Sequence, residues 1–366
     1  MSRNYNILII YCLIIFSASI AFAQQNTLPD SLKRNSLVAL PYAYYTPETK
    51  IAFGVGSIYS FRSPGSELNT RPSNIKLAFT YSQLRQMIIS FIPEMYFNNE
   101  SIFFNGFYTF YKFPDKYWGI GNNTQNSAEE SYTPYYLRTF TNLQKQLKPG
   151  LYIGLRFQLE YIDLTKTDNN GVLQFHTIPG SEGGIASGFG LIFNYDTRDH
   201  IYYPTNGNYY QIYAVFFDKV LASDYKFNHF TFDLRKYVPV FESHVLAFQS
   251  YNIFIQGNPP FQMMGLLGGS YWMRGYYYGR YRDKNMVTFQ TEYRFPLFWR
   301  FGGVAFAGFG DVAPEFKKFN TNTIKWTFGT GLRFTFDAQE KINARLDFGF
   351  GNDGNFGFYA MVVEAF

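Results

Sequence analysis

The chain has 366 residues, one cysteine and a formal net charge of +5. Aromatics make up 21% and charged residues only 16%, yet mean hydropathy is slightly negative at −0.19. This balance excludes a bundle of membrane helices, and the charge is too mild and dispersed for nucleic acid. It suits a wall with lipid outside, water inside and aromatic girdles at both interfaces.

The chain opens on a secretory signal pattern. Arg3 gives a positive start, Ile7–Ile20 is almost wholly apolar, and Ala21-Phe22-Ala23 is a small-x-small cleavage site. Residues 1–23 are expected to be removed, and Cys12 with them, so the mature chain offers no thiol nucleophile or thiolate metal site. Residues 24–36 read as a short polar periplasmic lead, far too short for a folded domain. Alternation begins at 37 and runs to 366.

A lipid-facing strand puts apolar side chains outward and polar or small ones inward, with period two, over about ten residues. In Leu151–Asp163, Leu151, Ile153, Leu155, Phe157, Leu159 and Tyr161 oppose a face of Tyr152, Gly154, Arg156, Gln158 and Glu160. Ile324–Asp337 and Ile342–Phe350 alternate as cleanly; the polar face of the latter is Asn343, Arg345, Asp347 and Gly349. Similar segments fall near 37–45, 50–62, 73–84, 86–97, 100–113, 133–145, 185–199, 207–218, 224–238, 243–257, 285–298, 301–313 and 356–366. The pattern predicts an all-β, transmembrane antiparallel barrel of about sixteen strands. The long connections 114–132, 164–184 and 258–284 follow odd strands and face outward. Most connections after even strands are tight, as at Asn98-Asn99 and Ala338-Gln339; 63–72 is the exception. Closure requires the last strand to pair with the first. Phe366 ends the chain on one face with Val362, Ala360 and Phe358, and reads as a C-terminal insertion signal. Glu364 departs from that apolar face, and Pro41 removes one N–H from the first strand.

Gly268–Asp283 is the longest part of the second half that does not alternate, and Met273-Arg274-Gly275-Tyr276 lies at its centre. Arg274 carries a planar fork of donors that cannot be neutralised and wants a carboxylate. The expectation is that this external loop folds into the lumen and latches Arg274 to acids on the inner wall. Glu292 points inward by periodicity, opposite Val287, Phe289, Thr291, Tyr293 and Phe295. On the next strand Asp311 shares a face with Ala305, Ala307 and Phe309; small residues with one acid suit the inner wall. Periodicity does not choose between Glu292 and Asp311. A charge-assisted, bidentate pair in such a setting is worth about 3–5 kcal/mol when one partner is removed.

These residues together resemble the Omp85 superfamily, the BamA/TamA-like surface-antigen barrels of Gram-negative outer membranes. Met273-Arg274-Gly275-Tyr276 is similar to the family's Val-Arg-Gly-Phe/Tyr loop motif, with Met for Val. Glu292, in Glu-Tyr-Arg-Phe-Pro, matches the acidic position after that loop. Phe309-Gly310-Asp311-Val312-Ala313 resembles the inner-wall Phe-x-Asp-x-Gly motif, with Ala313 for glycine. Gly188–Gly207, with Asp196, Arg198, Asp199, Pro204 and Gly207, is similar to a periplasmic-turn signature, and Tyr117–Asn122 to a third-loop segment. The resemblance implies that Arg274 meets Asp311, Glu292 or both. It also implies a barrel in the outer membrane, in contact with its lipids. Family members that insert or secrete proteins carry client-binding POTRA domains before the barrel; the 24–36 lead has no room for one, so the expectation is that this protein either borrows one from a periplasmic or outer-membrane assembly partner or does something else.

Two functions follow as expectations: an accessory in outer-membrane protein or lipid assembly or translocation, or a loop-gated passive channel for small solutes. No enzyme is expected. His176, His200, His229 and His244 are scattered without metal-ligand spacing, and no metal or cofactor is implied.

Overall fold

The computed structural model describes residues 35–62, 70–338 and 341–366. The expected signal, Cys12, the polar lead up to residue 34 and most of the 63–72 connection lie outside the described residues. Sixteen antiparallel strands close into a barrel. They are β1 (Asn35–Thr46), β2 (Lys50–Phe61), β3 (Ser73–Ser82), β4 (Met87–Phe97), β5 (Ile102–Lys112), β6 (Glu130–Lys148), β7 (Leu151–Thr167) and β8 (Gly184–Asp196). They continue as β9 (Gly207–Phe217), β10 (Phe227–Phe241), β11 (His244–Gly257), β12 (Asn285–Phe298), β13 (Phe301–Ala313), β14 (Lys325–Asp337), β15 (Ile342–Gly351) and β16 (Phe356–Val362). Each pairs with its chain neighbour, so the local hydrophobic period sets the global register.

The alternation works as the solvent pattern demands. On β14, Trp326, Phe328 and Leu332 are exposed to the lipid side, while Thr327, Gly331 and Arg333 are buried within. β6 and β7 run 19 and 17 residues, longer than expected and longer than the roughly ten needed to cross a bilayer. Their open ends, where Tyr132 pairs with Thr167, therefore project beyond the membrane on the outer side, opposite the turn that joins the two strands.

Two expectations are corrected. On β13 the inner face is Val304, Phe306, Gly308 and Gly310, while Ala305 and Ala307 are exposed. Small size marked the wrong face, because Phe306 is needed inside and Phe309 packs outside against Phe289 and Trp326. The last strand stops at Val362, not 366. Val363 adopts φ +62° and turns the chain inward, its N–H donating to the Asn343 carbonyl at 2.8 Å.

That turn leaves a short seam. β1 pairs with β2 from Asn35↔Phe61 to Thr46↔Lys50, but with β16 only at Tyr45↔Ala360. Below that rung Leu37, Val38 and Leu40 are all exposed, on both faces of β1.

Candidate functional site in the barrel lumen

The connection between β11 and β12 starts and ends as a small hairpin, Gly265–Leu267 against Tyr281–Asp283. Its tip descends into the barrel. Met273 and Tyr276 are fully buried with Leu267, Met286 and Val312, so the tip carries its own apolar support. Gly275, at φ +113°, lies against the backbone of Gly349 and Phe350: a Cβ on Gly349 would sit 2.6 Å from the Arg274 carbonyl carbon. The Gly275 N–H donates to the Tyr359 hydroxyl at 3.0 Å, and the Thr327 hydroxyl donates to the Arg274 carbonyl. The Tyr276 hydroxyl donates to the Trp326 carbonyl at 2.9 Å and accepts from the Asn352 N–H at 2.6 Å.

This seat puts Arg274 among acids with no exposed surface. Its Nη2 lies 2.7 Å from Glu292 Oε2, and its Nη1 donates to Asp347 Oδ2 at 2.8 Å. The guanidinium is splayed between two carboxylates rather than forked onto one, and the Glu292 contact is a close ion pair without hydrogen-bond alignment. Below it lies the ring of Phe306, 3.6 Å from the guanidinium carbon. Around it, Arg294 Nε donates to Glu292 Oε1 at 2.9 Å. Arg333 Nη1 donates to Asp347 Oδ1 at 2.6 Å, and Arg345 Nη1 to Asp347 Oδ2 at 3.2 Å. Arg333 Nε also binds Glu364 at 2.6 Å.

Asp311 is not a partner of Arg274. It sits at the outer end of β13 on the face opposite Glu292. There it accepts from Asn122 Nδ2 at 3.2 Å and from the Thr323 hydroxyl at 2.7 Å. Phe309 faces away from the lumen. Phe366 does not face lipid either. Ala365 and Phe366 are buried with Tyr237, Val245 and Ala247, and the main-chain oxygen of Phe366 accepts from Arg294 Nη2 at 2.7 Å.

The other motif residues converge on the same region. In the β8–β9 turn, Arg198 pairs with Asp196 at 2.8 Å. Asp199 caps the turn, accepting from the Thr205 and Asn206 N–H groups at 2.8 and 3.1 Å. Burial pulls its carboxyl upward, but the Thr205 hydroxyl and these two N–H groups hold it below the usual range. Gly207 leaves this turn at φ +107°, where a Cβ would strike the Thr197 carbonyl. The turn folds under the lumen, and the Pro204 carbonyl accepts from Arg294 Nη1 at 3.3 Å. From outside, Trp118 packs edge-on against Tyr277, and the Gly121 N–H donates to the Arg282 carbonyl at 2.8 Å. Among the described residues no three His, Cys, Asp or Glu converge on a metal-sized site.

Asp347, Arg333, Arg345, Gly349 and Tyr359 were missing from the expected latch. A signal existed for four of them: the alternation of Ile324–Asp337 and Ile342–Phe350 already turns Arg333, Arg345, Asp347 and Gly349 inward. What periodicity lacks is depth, since it does not say how far down the barrel the loop tip reaches.

An Omp85 superfamily domain model matches residues 68–365. The chain belongs to the Omp85 superfamily. Among solved structures it is similar to BamA from Haemophilus ducreyi lacking POTRA domains 1-3, at 12% identity and TM-score 0.61, over 90% of this chain and 70% of that one. CdiB from Escherichia coli matches at 11% identity and TM-score 0.61, over 92% and 64%. CdiB from Acinetobacter baumannii matches at 12% identity and TM-score 0.58, over 91% and 60%. This chain thus spans less than two thirds of either CdiB chain. No curated protein sequence matches it. Omp85 barrels sit in the outer membrane, work with partner proteins, and serve assembly and transport rather than enzymatic chemistry.

For this Omp85 barrel the geometry separates two aspartates. Asp347→Asn is expected to lower the temperature at which the folded form is lost on semi-native gels, because three arginines lose their hydrogen-bonded carboxylate. Asp311→Asn is expected to leave that temperature nearly unchanged, since its partners are an amide, a hydroxyl and a backbone N–H. The reverse order would put the acid that holds the loop on β13 instead.

Proposed function

We propose that this Omp85 barrel assists the assembly or translocation of outer-membrane proteins, and that the seam between β1 and β16 is its working element. The observation that carries this reading is the single seam pair, Tyr45↔Ala360. A ladder left unpaired in lipid is strained, since backbone donors there have no water to turn to. Such an edge thins the bilayer around it and opens at little cost. Its own lipids and a client-presenting periplasmic or outer-membrane partner are the molecules it works with. The channel reading has less support, because the Arg274 loop, the Pro204 turn and residues 364–366 all occupy the lumen.

A disulfide across the seam tests this. In a Cys12→Ser background, Tyr45→Cys with Ala360→Cys should cross-link on oxidation. The oxidised barrel is expected to lose its ability to speed insertion of a barrel client into liposomes and to regain it on reduction. Full activity with the disulfide intact would end the seam reading. Steady single-channel conductance of the unmutated protein in planar bilayers would favour the channel.

A further inference from the structure

The arginines around the loop tip, Arg274, Arg294, Arg333 and Arg345, each face a carboxylate. Arg280, further along the same loop, does not. It is 4% exposed, and its guanidinium donates only to uncharged oxygens. Nη1 reaches the Thr124 hydroxyl and Nη2 the Thr124 carbonyl, both at 2.8 Å; Nε and Nη2 reach Asn126 Oδ1 at 3.1 and 2.7 Å. The guanidinium carbon lies 5.3 Å from the Trp118 ring centroid and 4.4 Å from that of Tyr281. Lys325 starts β14 with the inward parity of Thr327 and brings a second cation to the same ring, its Nζ 4.4 Å from the Tyr281 centroid. Among the described residues neither cation forms an ion pair. Together they flank a pocket of about 240 Å³ at the outer mouth of the barrel. A buried guanidinium without a counter-charge is costly, and an anion in that pocket would supply one.

The remaining walls narrow the ligand. Residues 123–126, between β5 and β6, line the pocket with amides and a hydroxyl, and Asp353, between β15 and β16, adds one carboxylate. These connections come from opposite sides of the barrel wall, so the pocket sits over the lumen rather than at the lipid rim. A bare anion meets the two cations but is repelled by Asp353. A molecule with both a charge and hydroxyls satisfies every wall: hydroxyls donate to Asp353 and exchange hydrogen bonds with the amides, and the charge faces Arg280 and Lys325. Two cations match a phosphate, which carries close to two negative charges, better than a carboxylate. The volume lies below the ~300 Å³ at which ligand pockets commonly begin, which suits one sugar ring and excludes a longer chain.

We propose that this pocket binds a phosphorylated sugar unit presented from outside the cell. Its occupant also braces the latch. Arg280 and Tyr281 belong to the outgoing limb of the loop. Lys325 and Asp353 adjoin Trp326 and Asn352, the residues bonded to the Tyr276 hydroxyl. A ligand that bridges these segments ties the loop to the wall and stabilises the docked loop by mass action. The site stands apart from the seam reading, and either can fail alone.

Glucose 6-phosphate is the probe, titrated by calorimetry into the full barrel in detergent, with inorganic phosphate and glucose as comparisons. It is expected to bind more tightly than either and to raise the temperature at which the folded band is lost on semi-native gels. Lys325→Gln should weaken it on the order of tenfold, the scale of one charge-assisted hydrogen bond. The Lys325 side chain makes only its contact with the Tyr281 ring, so this variant keeps the fold. Asp353→Asn should weaken glucose 6-phosphate while tightening inorganic phosphate. In vesicles, a rise in heat resistance with glucose 6-phosphate alone assigns a free sugar; a rise caused by a phosphorylated glucosamine glycolipid in the membrane assigns a lipid headgroup. Absence of glucose 6-phosphate binding at millimolar concentration, or binding that Lys325→Gln leaves unchanged, would overturn the site. Equal changes for both phosphates in Asp353→Asn would overturn the sugar as its ligand.

Discussion

Glu292→Gln is expected to weaken the folded barrel more than Arg274→Ala does. Four guanidinium groups, on Arg274, Arg294, Arg333 and Arg345, face the carboxylates of Glu292, Asp347 and Glu364 in a region closed to water. Removing Arg274 leaves each of these acids at least one other guanidinium. Glu292 keeps Arg294 at 2.9 Å and Arg333 at 3.6 Å, and Asp347 keeps Arg333 and Arg345. Removing Glu292 takes away the carboxylate shared by Arg274, Arg294 and Arg333, and leaves Arg294 with the Pro204 carbonyl and the main-chain oxygen of Phe366. Breaking a buried pair costs about 3–5 kcal/mol because a charge is left uncompensated, and the glutamate variant meets that condition while the arginine variant does not. The measurement is the temperature at which the folded band disappears on semi-native gels. Arg274→Ala has a different signature: the loop loses its grip on both acids, so conductance rises with a smaller fall in heat resistance. Equal heat resistance and unchanged conductance in that variant would show that Arg274 latches nothing.

The wall of this barrel was largely legible in the sequence, because a strand with lipid on one side and water on the other writes its orientation into every second residue. The exceptions have physical causes. β13 is lined with small residues on both faces, so size carried no direction and Phe306 was placed outside. The last strand reads as continuous through Phe366, since a turn made by one left-handed valine, Val363, leaves no glycine or proline to mark it. In the latch, Arg274 and Glu292 stood out because one sits in a non-alternating loop and the other is the one acid on its strand's inward face. Asp347 was seen as inward-facing but not as a partner, because it lies three strands further round the barrel. That contact depends on closure and on loop depth, and neither is a local property. Glu364, odd on an apolar face, was the one visible trace of the inward turn.

Gly349→Val should displace the loop without touching any charge. Gly349 lies on β15, directly beneath the Arg274–Gly275 peptide, and its missing side chain is what lets the two backbones meet. A Cβ there would stand 2.6 Å from the Arg274 carbonyl carbon and 2.7 Å from the Gly275 nitrogen. Both obstacles are backbone, so no rotamer relieves them, and either the loop rises or β15 bends outward. β15 is tied on both sides, to β14 and β16, so the loop is the part that yields. Once it lifts, the Gly275–Tyr359 and Thr327–Arg274 hydrogen bonds lengthen together with both ion pairs. The predicted loss is therefore at least that of a core overpacking, about 1–3 kcal/mol, plus the broken pairs. Tyr359→Phe supplies the scale, since it removes one hydrogen bond of roughly 1 kcal/mol and leaves the seat open. The expected order of heat resistance is unmutated, then Tyr359→Phe, then Gly349→Val, with conductance rising in the same sequence. If Gly349→Val matched the unmutated barrel in both measurements, the close approach of loop and strand would not be what holds Arg274 in place.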